Sequence, residues 1–253
     1  MNLLNTSTIV TGAGGRIGFS VVKTILESGG NVALVDIKLP KLNIDLGEKY
    51  INNLHFINCD VTNADEISKA IESTIQRFGK IDSAVHAAYP RSEAWGTKFE
   101  NLTIENLALD LKMQLGSAII FSQKIIKYFQ SVGSGNLIHL SSIQGIAAPK
   151  FEHYEGTKMV SPIEYSAIKA GIISITKYLA KLYKKQGIRV NCIAPGGILD
   201  NQPEIFLNKY NMDCNFKGML EGNDLSGTIR YLLSNDSKFL TGQTIVLDDG
   251  WSL

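Results

Sequence analysis

A phenol and an ammonium group one helical turn apart can together make a proton donor, and this chain offers that arrangement twice. Tyr154 and Lys158 stand four apart in "YEGTK", and Tyr165 and Lys169 stand four apart in "YSAIK". On a helix that spacing puts both groups on one face. Nine tyrosines at this lysine content would give about one such match by chance, so one of the two is expected to be accidental. Gly156 and Pro162 weaken any helix around the first pair. The second pair opens "YSAIKAGIISITKYLAKLYKKQG", where Ile168, Ile172, Ile175 and Leu179 fall on one face. Lys177, Lys181 and Lys185 fall on another, a solvated face. Ser161 is the expected N-cap, with Pro162 at the first helical position and Glu164 at the third. Tyr165 and Lys169 would then lie in the first turns of a real helix, which makes them the better candidates.

A second constellation is "TGAGGRIG", Thr11 to Gly18, which follows an apolar run and precedes a helical pattern. A glycine turn between strand and helix lets a pyrophosphate approach the backbone, where helix N–H groups point at it. Asp36 ends the next apolar run, where a carboxylate can bond the adenosine ribose and repel a 2′-phosphate. This favours NAD over NADP. Arg16 argues the other way, since a cation in the loop could hold a phosphate.

The elements that would position these residues alternate along the chain. "STIVTG", "NVALVD", "LHFIN", "SAVHAA", "GNLIHLSS", "IRVNCIAP" and "QTIVLDD" read as strands. Amphipathic stretches separate them, among them "RIGFSVVKTILES", a long helix from about Thr103 to Ser131 and another at Ser161–Gln186. Asn63 and Glu66 form a capping-box pattern before "NADEISKAIESTIQRF". Nearly continuous apolar strands alternating with helices imply a doubly wound parallel sheet, α/β in class, with helices on both faces. No repeat or linker divides the 253 residues, so one domain is expected.

Composition sets the outer limits. With 25 basic and 24 acidic residues, net charge +1, nothing argues for nucleic acid or an anionic membrane as partner. Cys59, Cys192 and Cys214 form no CxxC and no metal-ligand spacing, so neither a disulfide framework nor a metal site is expected. No signal-like start and no long apolar run occurs, and a cytoplasmic protein is the expectation. His55 and His139 fall within strands and read as structural.

Taken in order, "TGAGGRIG", Asp36, "CDV" at Cys59–Val61, "LSS" at Leu140–Ser142, "YSAIK", "GIRVNCIAPG" and "LTGQTIVLDDG" resemble the short-chain dehydrogenase/reductase family over nearly the whole chain. In that family the catalytic tyrosine lies 30 residues before the proline of the "PG" turn, and here 195 − 165 = 30. The resemblance implies a single-domain Rossmann-type fold and gives roles to named residues. Ser142 would polarise the reacting group, Tyr165 would be the general acid/base, and Lys169 would hold the nicotinamide ribose and lower the tyrosine pKa. Gln114 aligns with the family's helix asparagine, which supports a relay water. Gly12, Gly15, Arg16, Ile17, Gly18, Asp36, Asp60, Val61, Ala87, Ala88, Tyr165, Lys169, Pro195, Gly196 and Ile198 would line the cofactor. The resemblance also implies a homo-oligomer, tetramer or dimer, paired through the two long helices.

The chain departs from the pattern in places. Arg16 stands where glycine is usual, "HAAY" (His86–Tyr89) replaces Asn-Asn-Ala-Gly, and Ser142 to Tyr165 is longer than usual at 165 − 142 = 23. The extra segment, about 150–161, holds Tyr154, and a short substrate lid is expected at about 199–218. "AYPR", "YEGT", "PGGILDNQPE" and "DDGWSL" are similar to the family's bacterial flagellin-modification members. That narrower resemblance implies a sugar substrate carrying phosphate or a nucleotide, in surface-glycan or nonulosonic acid biosynthesis. Tyr89, Arg91, Gln144 and Tyr154 are the substrate-binding candidates, with Lys150, His153 and Lys158 as further loop residues that could form the pocket. A sugar epimerase with bound cofactor and a catalytically weak NAD-binding scaffold are the alternatives.

Overall fold

The computed structural model describes residues 2–38 and 49–253. Seven strands form one parallel sheet: β1 (Ser7–Thr11), β2 (Asn31–Asp36), β3 (Leu54–Asn58), β4 (Ser83–His86), β5 (Gly135–Leu140), β6 (Ile188–Pro195) and β7 (Thr244–Leu247). Their spatial order is β3-β2-β1-β4-β5-β6-β7. The order reverses beside β1, which pairs with β2 on one side and β4 on the other. That switch opens a crevice at the carboxyl ends of the strands, the ligand site of open α/β sheets.

Alternation along each strand feeds two cores. Val10, Leu34, Val85 and Ile138 face α1 (Arg16–Glu27) and, later in the chain, a helix at Ser226–Leu233. Ile9, Ala33, Ala84 and Leu137 face α2 (Ala64–Phe78) and a helix at Ser117–Val132. Both faces of the sheet are therefore dry, which explains why the strands read as apolar runs rather than as alternating ones.

The remaining helices refine the sequence expectations. The stretch expected as one helix is α3 (Ile104–Leu111) and α4 (Ser117–Val132), joined by a π turn at Lys112–Gly116. Thr103 caps α3 by accepting the Asn106 N–H at 3.3 Å. The following helices are α5 (Ile163–Leu182), α6 (Glu204–Met212) and α7 (Ser226–Leu233). Ser161 is not the cap of α5: Pro162 takes that place, and the Ser161 hydroxyl donates to Gln144 Oε1 at 2.9 Å. A side chain across the cleft outcompetes the local helix end. Glu164 is buried, and neither of its carboxylate oxygens has a partner among the described residues. At α2, Asn63 caps as expected, but Glu66 meets the Asn63 side-chain amide and the Asp60 N–H rather than the Asn63 backbone. The capping box is thus only half formed.

A small third core lies over the open edge of the crevice, around Ile143, Phe206, Tyr210, Met219 and Trp251. Two segments build it. The turn Phe151–Tyr154 rests on α6, whose Lys209 ammonium donates to the Glu152 and Glu155 carbonyls at 2.6 and 3.3 Å. The chain after α6 is fastened by Asp249, whose Oδ2 accepts the N–H groups of Phe216, Lys217 and Gly218 at 3.0, 2.6 and 2.8 Å. The segments at 150–161 and 199–218 thus form one wall.

Candidate active site

The glycine turn sits at the crevice floor. Gly12 has φ +66°, and a Cβ on it would lie 2.6 Å from Ala88 Cα. A Cβ on Gly18 would meet the Gly12 carbonyl oxygen at 2.0 Å. Neither position can take a side chain without moving backbone. Gly15 caps α1 with no side-chain bond, and the first turn carries no acidic residue. The helix N–H groups are therefore left for an external anion, which fits a dinucleotide pyrophosphate. Asp36 accepts the Gly14 N–H at 2.8 Å and the Lys38 N–H at 3.3 Å, so its carboxylate is held at the rim where an adenosine ribose would lie. Arg16 is ion-paired with Asp200 across the crevice.

The candidate proton-handling groups come from two elements. Ser142 follows β5 and caps a short turn at Ile143–Gly145 by accepting the Gln144 N–H at 3.2 Å. That turn packs on α5 only because residue 145 is glycine: a Cβ there would lie 2.7 Å from the Lys169 carbonyl carbon. Ser141 ties the same place by donating to the Lys169 carbonyl at 2.7 Å. Tyr165 and Lys169, both in the first two turns of α5, then face Ser142 and line one cleft with it. Burial pushes the Tyr165 phenol above the usual tyrosine range, and the Ser142 hydroxyl draws it back down. Burial also lowers the Lys169 ammonium to about 8. Its Nζ donates to the Leu140 carbonyl at 3.2 Å and lies 5.5 Å from the centre of the Tyr165 ring.

The cleft holds about 1110 Å³. It gathers Ser142, Tyr165 and Lys169 with every residue expected at the cofactor, from Gly12 to Ile198, and with Tyr89, Arg91, Gln144 and Tyr154. Gln144 ties the turn after Ser142 to the 150–161 segment, donating to Tyr154 Oη at 3.2 Å and accepting from Ser161. Gln114 is in the π turn and buried, with no partner for its amide and no place in the cleft lining, where its neighbour Met113 stands instead.

Three expected loop residues are not brought into the cleft. His153 Nε2 and Lys150 Nζ both contact Asp213 Oδ2, at 2.6 and 3.3 Å, which holds them against α6. Lys158 is exposed outside the cleft. An ammonium and an imidazole tied to a carboxylate elsewhere are not available to a substrate anion. In their place the wall is aromatic. Tyr154 meets Phe206 at 5.1 Å, Phe206 stacks on Tyr210 at 5.9 Å, and Tyr210 stacks on Trp251 at 5.7 Å. Trp95, from the loop after β4, adds to the opposite side. Sequence reasoning missed Trp95, Phe206, Tyr210 and Trp251. Only Phe206 and Tyr210 share a spacing, four apart on α6, and only the "DDGWSL" resemblance touched one of the others. His139, by contrast, is structural as expected: both ring nitrogens are bonded, to Ser122 and Thr176.

Comparison with known proteins agrees with this geometry. A family model described as enoyl-(acyl carrier protein) reductase matches residues 12–252. The chain belongs to the short-chain dehydrogenase/reductase family. It is an oxidoreductase of that family and is 44% identical over 99% of its length to the whole of the post-translational flagellin modification protein A of Campylobacter coli. It is 30% identical to 7alpha-hydroxysteroid dehydrogenase of Bacteroides fragilis, covering 97% of this chain and 93% of that one. Among solved structures it superposes on a short chain dehydrogenase from Leptospira borgpetersenii with bound NAD+ at a TM-score of 0.89, with 29% identity, covering 100% of this dehydrogenase and 94% of the other. Among its described residues, no helix is long and apolar enough to cross a membrane, and no cluster of histidine, cysteine and carboxylate groups could hold a metal.

Proposed function

We propose that this dehydrogenase is NAD-dependent and acts on a sugar hydroxyl or ketone, the sugar being linked to phosphate or a nucleotide, in bacterial surface-glycan biosynthesis such as flagellin modification. The observation that carries the reading is the meeting of Ser142, Tyr165 and Lys169 in one cleft with the bare N-terminus of α1. Bound there, the nicotinamide supplies the hydride acceptor or donor. Ser142 donates a hydrogen bond to the substrate oxygen. Tyr165 takes or gives that oxygen's proton, and the Lys169 charge eases its ionisation. Gly15, Ile17 and Gly18 would hold the pyrophosphate end together with the backbone of Arg16, whose side chain is taken by Asp200; Asp60 and Val61 would border the adenine, and Pro195 to Ile198 would meet the carboxamide. The turn that carries Pro195 is held in place by Tyr210 Oη, which accepts the Gly197 N–H at 2.6 Å.

A sugar suits the aromatic wall, whose ring faces pack against C–H groups, and the 44% relative is named for flagellin modification. Arg91 lines the catalytic end with no carboxylate in ion-pair range among the described residues, which suits an anionic substituent. Gln114 serves as a water-holding amide behind the site. Exposed apolar residues on the outer faces of α4 and α5, Ile119, Ile163, Tyr178 and Leu182, support a homo-oligomer.

NADH absorbance with a panel of phosphate- and nucleotide-linked sugars tests the substrate class; turnover confined to neutral steroid or acyl substrates would overturn it. For the cofactor, Asp36 at the ribose rim predicts NAD binding about tenfold or more tighter than NADP, with the gap closing in Asp36→Asn. Calorimetric titration of both nucleotides checks this, and equal affinities in the unaltered protein would overturn it.

A further inference from the structure

Tyr89 stands beside the catalytic pair. Its ring centre lies 5.8 Å from that of Tyr165 and 5.5 Å from that of Trp95, both edge-on. Two cations share it: Lys169 Nζ is 5.3 Å from the ring centre and Arg91 Cζ is 5.5 Å away. Lys169 is 7% exposed and has no carboxylate in ion-pair range among the described residues. Its compensation in the unliganded protein is the Leu140 carbonyl and the faces of two tyrosine rings. A buried ammonium with so few partners is costly, and a ring quadrupole is worth most where water is excluded. The Tyr89 hydroxyl itself is a poor acid: the residue is 40% exposed in the cleft, but the loss of water on the side of the site, and then the neighbouring Tyr165, hold the phenol well above the usual tyrosine range.

We propose that Tyr89 is a positioning residue of the catalytic machinery: its ring, not its hydroxyl, holds the Lys169 ammonium beside Tyr165 and keeps Arg91 over the substrate end of the cleft. This rests on the reading of Tyr165 and Lys169 given above. The groups that face these side chains are few. Lys169 meets Tyr89, Tyr165 and the Cys192 thiol, and its charge also reaches His86. Tyr165 meets Ser142 and Tyr154. Tyr89 also feels Arg91, Asp110 and Glu164. Without the ring, Lys169 loses its proton at lower pH. The charge that eases Tyr165 ionisation near neutral pH is then carried by a smaller share of molecules.

The test needs no substrate. The Lys169 ionisation is followed by NMR of isotope-labelled lysine side chains through a pH titration of the protein, and the spectrum of the Lys169→Met form identifies its signal. The same titration is made in Tyr89→Phe and Tyr89→Leu backgrounds, with thermal melts as a folding control. The expected result is an unchanged Lys169 midpoint in Tyr89→Phe and a fall of about half a unit or more in Tyr89→Leu, a three-fold or larger change in the ionisation constant. A midpoint indifferent to both variants overturns the proposal, as does Tyr89→Phe behaving like Tyr89→Leu, which would assign the effect to the hydroxyl. Tighter NAD binding in Tyr89→Leu also overturns it, because the ring would then be a plug in the nicotinamide site. A Lys169 midpoint at the ordinary lysine value in the unaltered protein would mean that Lys169 is not buried in the site, and the catalytic reading falls and this proposal falls with it.

Discussion

The two Tyr-x-x-x-Lys pairs share a spacing and almost nothing else. Tyr154 ends a single short turn, Phe151–Tyr154, and Gly156 at φ +79° then redirects the chain, so Lys158 ends up exposed and away from its tyrosine's partners. The Tyr154 ring leans on Phe206 and its hydroxyl meets Gln144, which makes it part of the wall. Tyr165 and Lys169 lie on a 20-residue helix whose first turns are pressed against the Ser142 turn through Gly145. The contrast shows that a four-residue spacing becomes a chemical pair only where continuous helix fixes the shared face and burial removes water. The two phenols still belong to one cleft, since Tyr154 acts on the Tyr165 ionisation.

The sharpest way to break this contrast is Tyr165→Phe. It should lower kcat by about 10² to 10⁴ with NAD affinity nearly unchanged, because one oxygen is lost and little packing. Steady-state kinetics with the substrate found by the sugar screen measure it, and normal turnover would move the chemistry to "YEGTK".

The lysines should differ in stability. Burial holds Lys169 at about 8 in the folded chain against the ordinary lysine value of 10.5, so its charge is a cost to folding. Below pH 8 that cost is fully present. As pH rises from about 8 toward 10.5 the folded chain releases the proton first, and the cost is relieved. Lys169→Met should therefore stabilise the unliganded protein by about 2 kcal/mol at neutral pH, raising Tm by several degrees, with the gain shrinking across that window. Lys158→Met should shift stability by less than about 0.5 kcal/mol at any pH. Calorimetric melts at a series of pH values decide it; equal effects of the two variants would mean that Lys169 is not desolvated.

The smallest effect is expected at the wall. Tyr154→Phe removes one hydrogen bond and should raise KM by about two- to twelvefold while kcat holds. A collapse of kcat there would assign Tyr154 to the chemistry.

Much of the cofactor half was legible because its constraints are local in sequence. Gly12, Gly18 and Asp36 are set by one strand, one turn and the end of the next strand, where steric necessity leaves few residue choices. The α5 pair was legible for the same reason, since helical period alone aligns Tyr165 with Lys169. The cap of α5 was not, because Ser161 is taken by Gln144, 17 positions away.

What the amino-acid sequence determined by itself is the α/β class, the parallel strands and the helix that sets Tyr165 beside Lys169, since periodicity and glycine sterics act within a few residues. Only the tertiary structure decided which side chains line the cleft. Lys150 and His153 were drawn away by Asp213, while Trp95, Phe206, Tyr210 and Trp251 were assembled from three separate segments. Those outcomes depend on competition among groups far apart in the chain, and that competition is settled only when the segments are packed together.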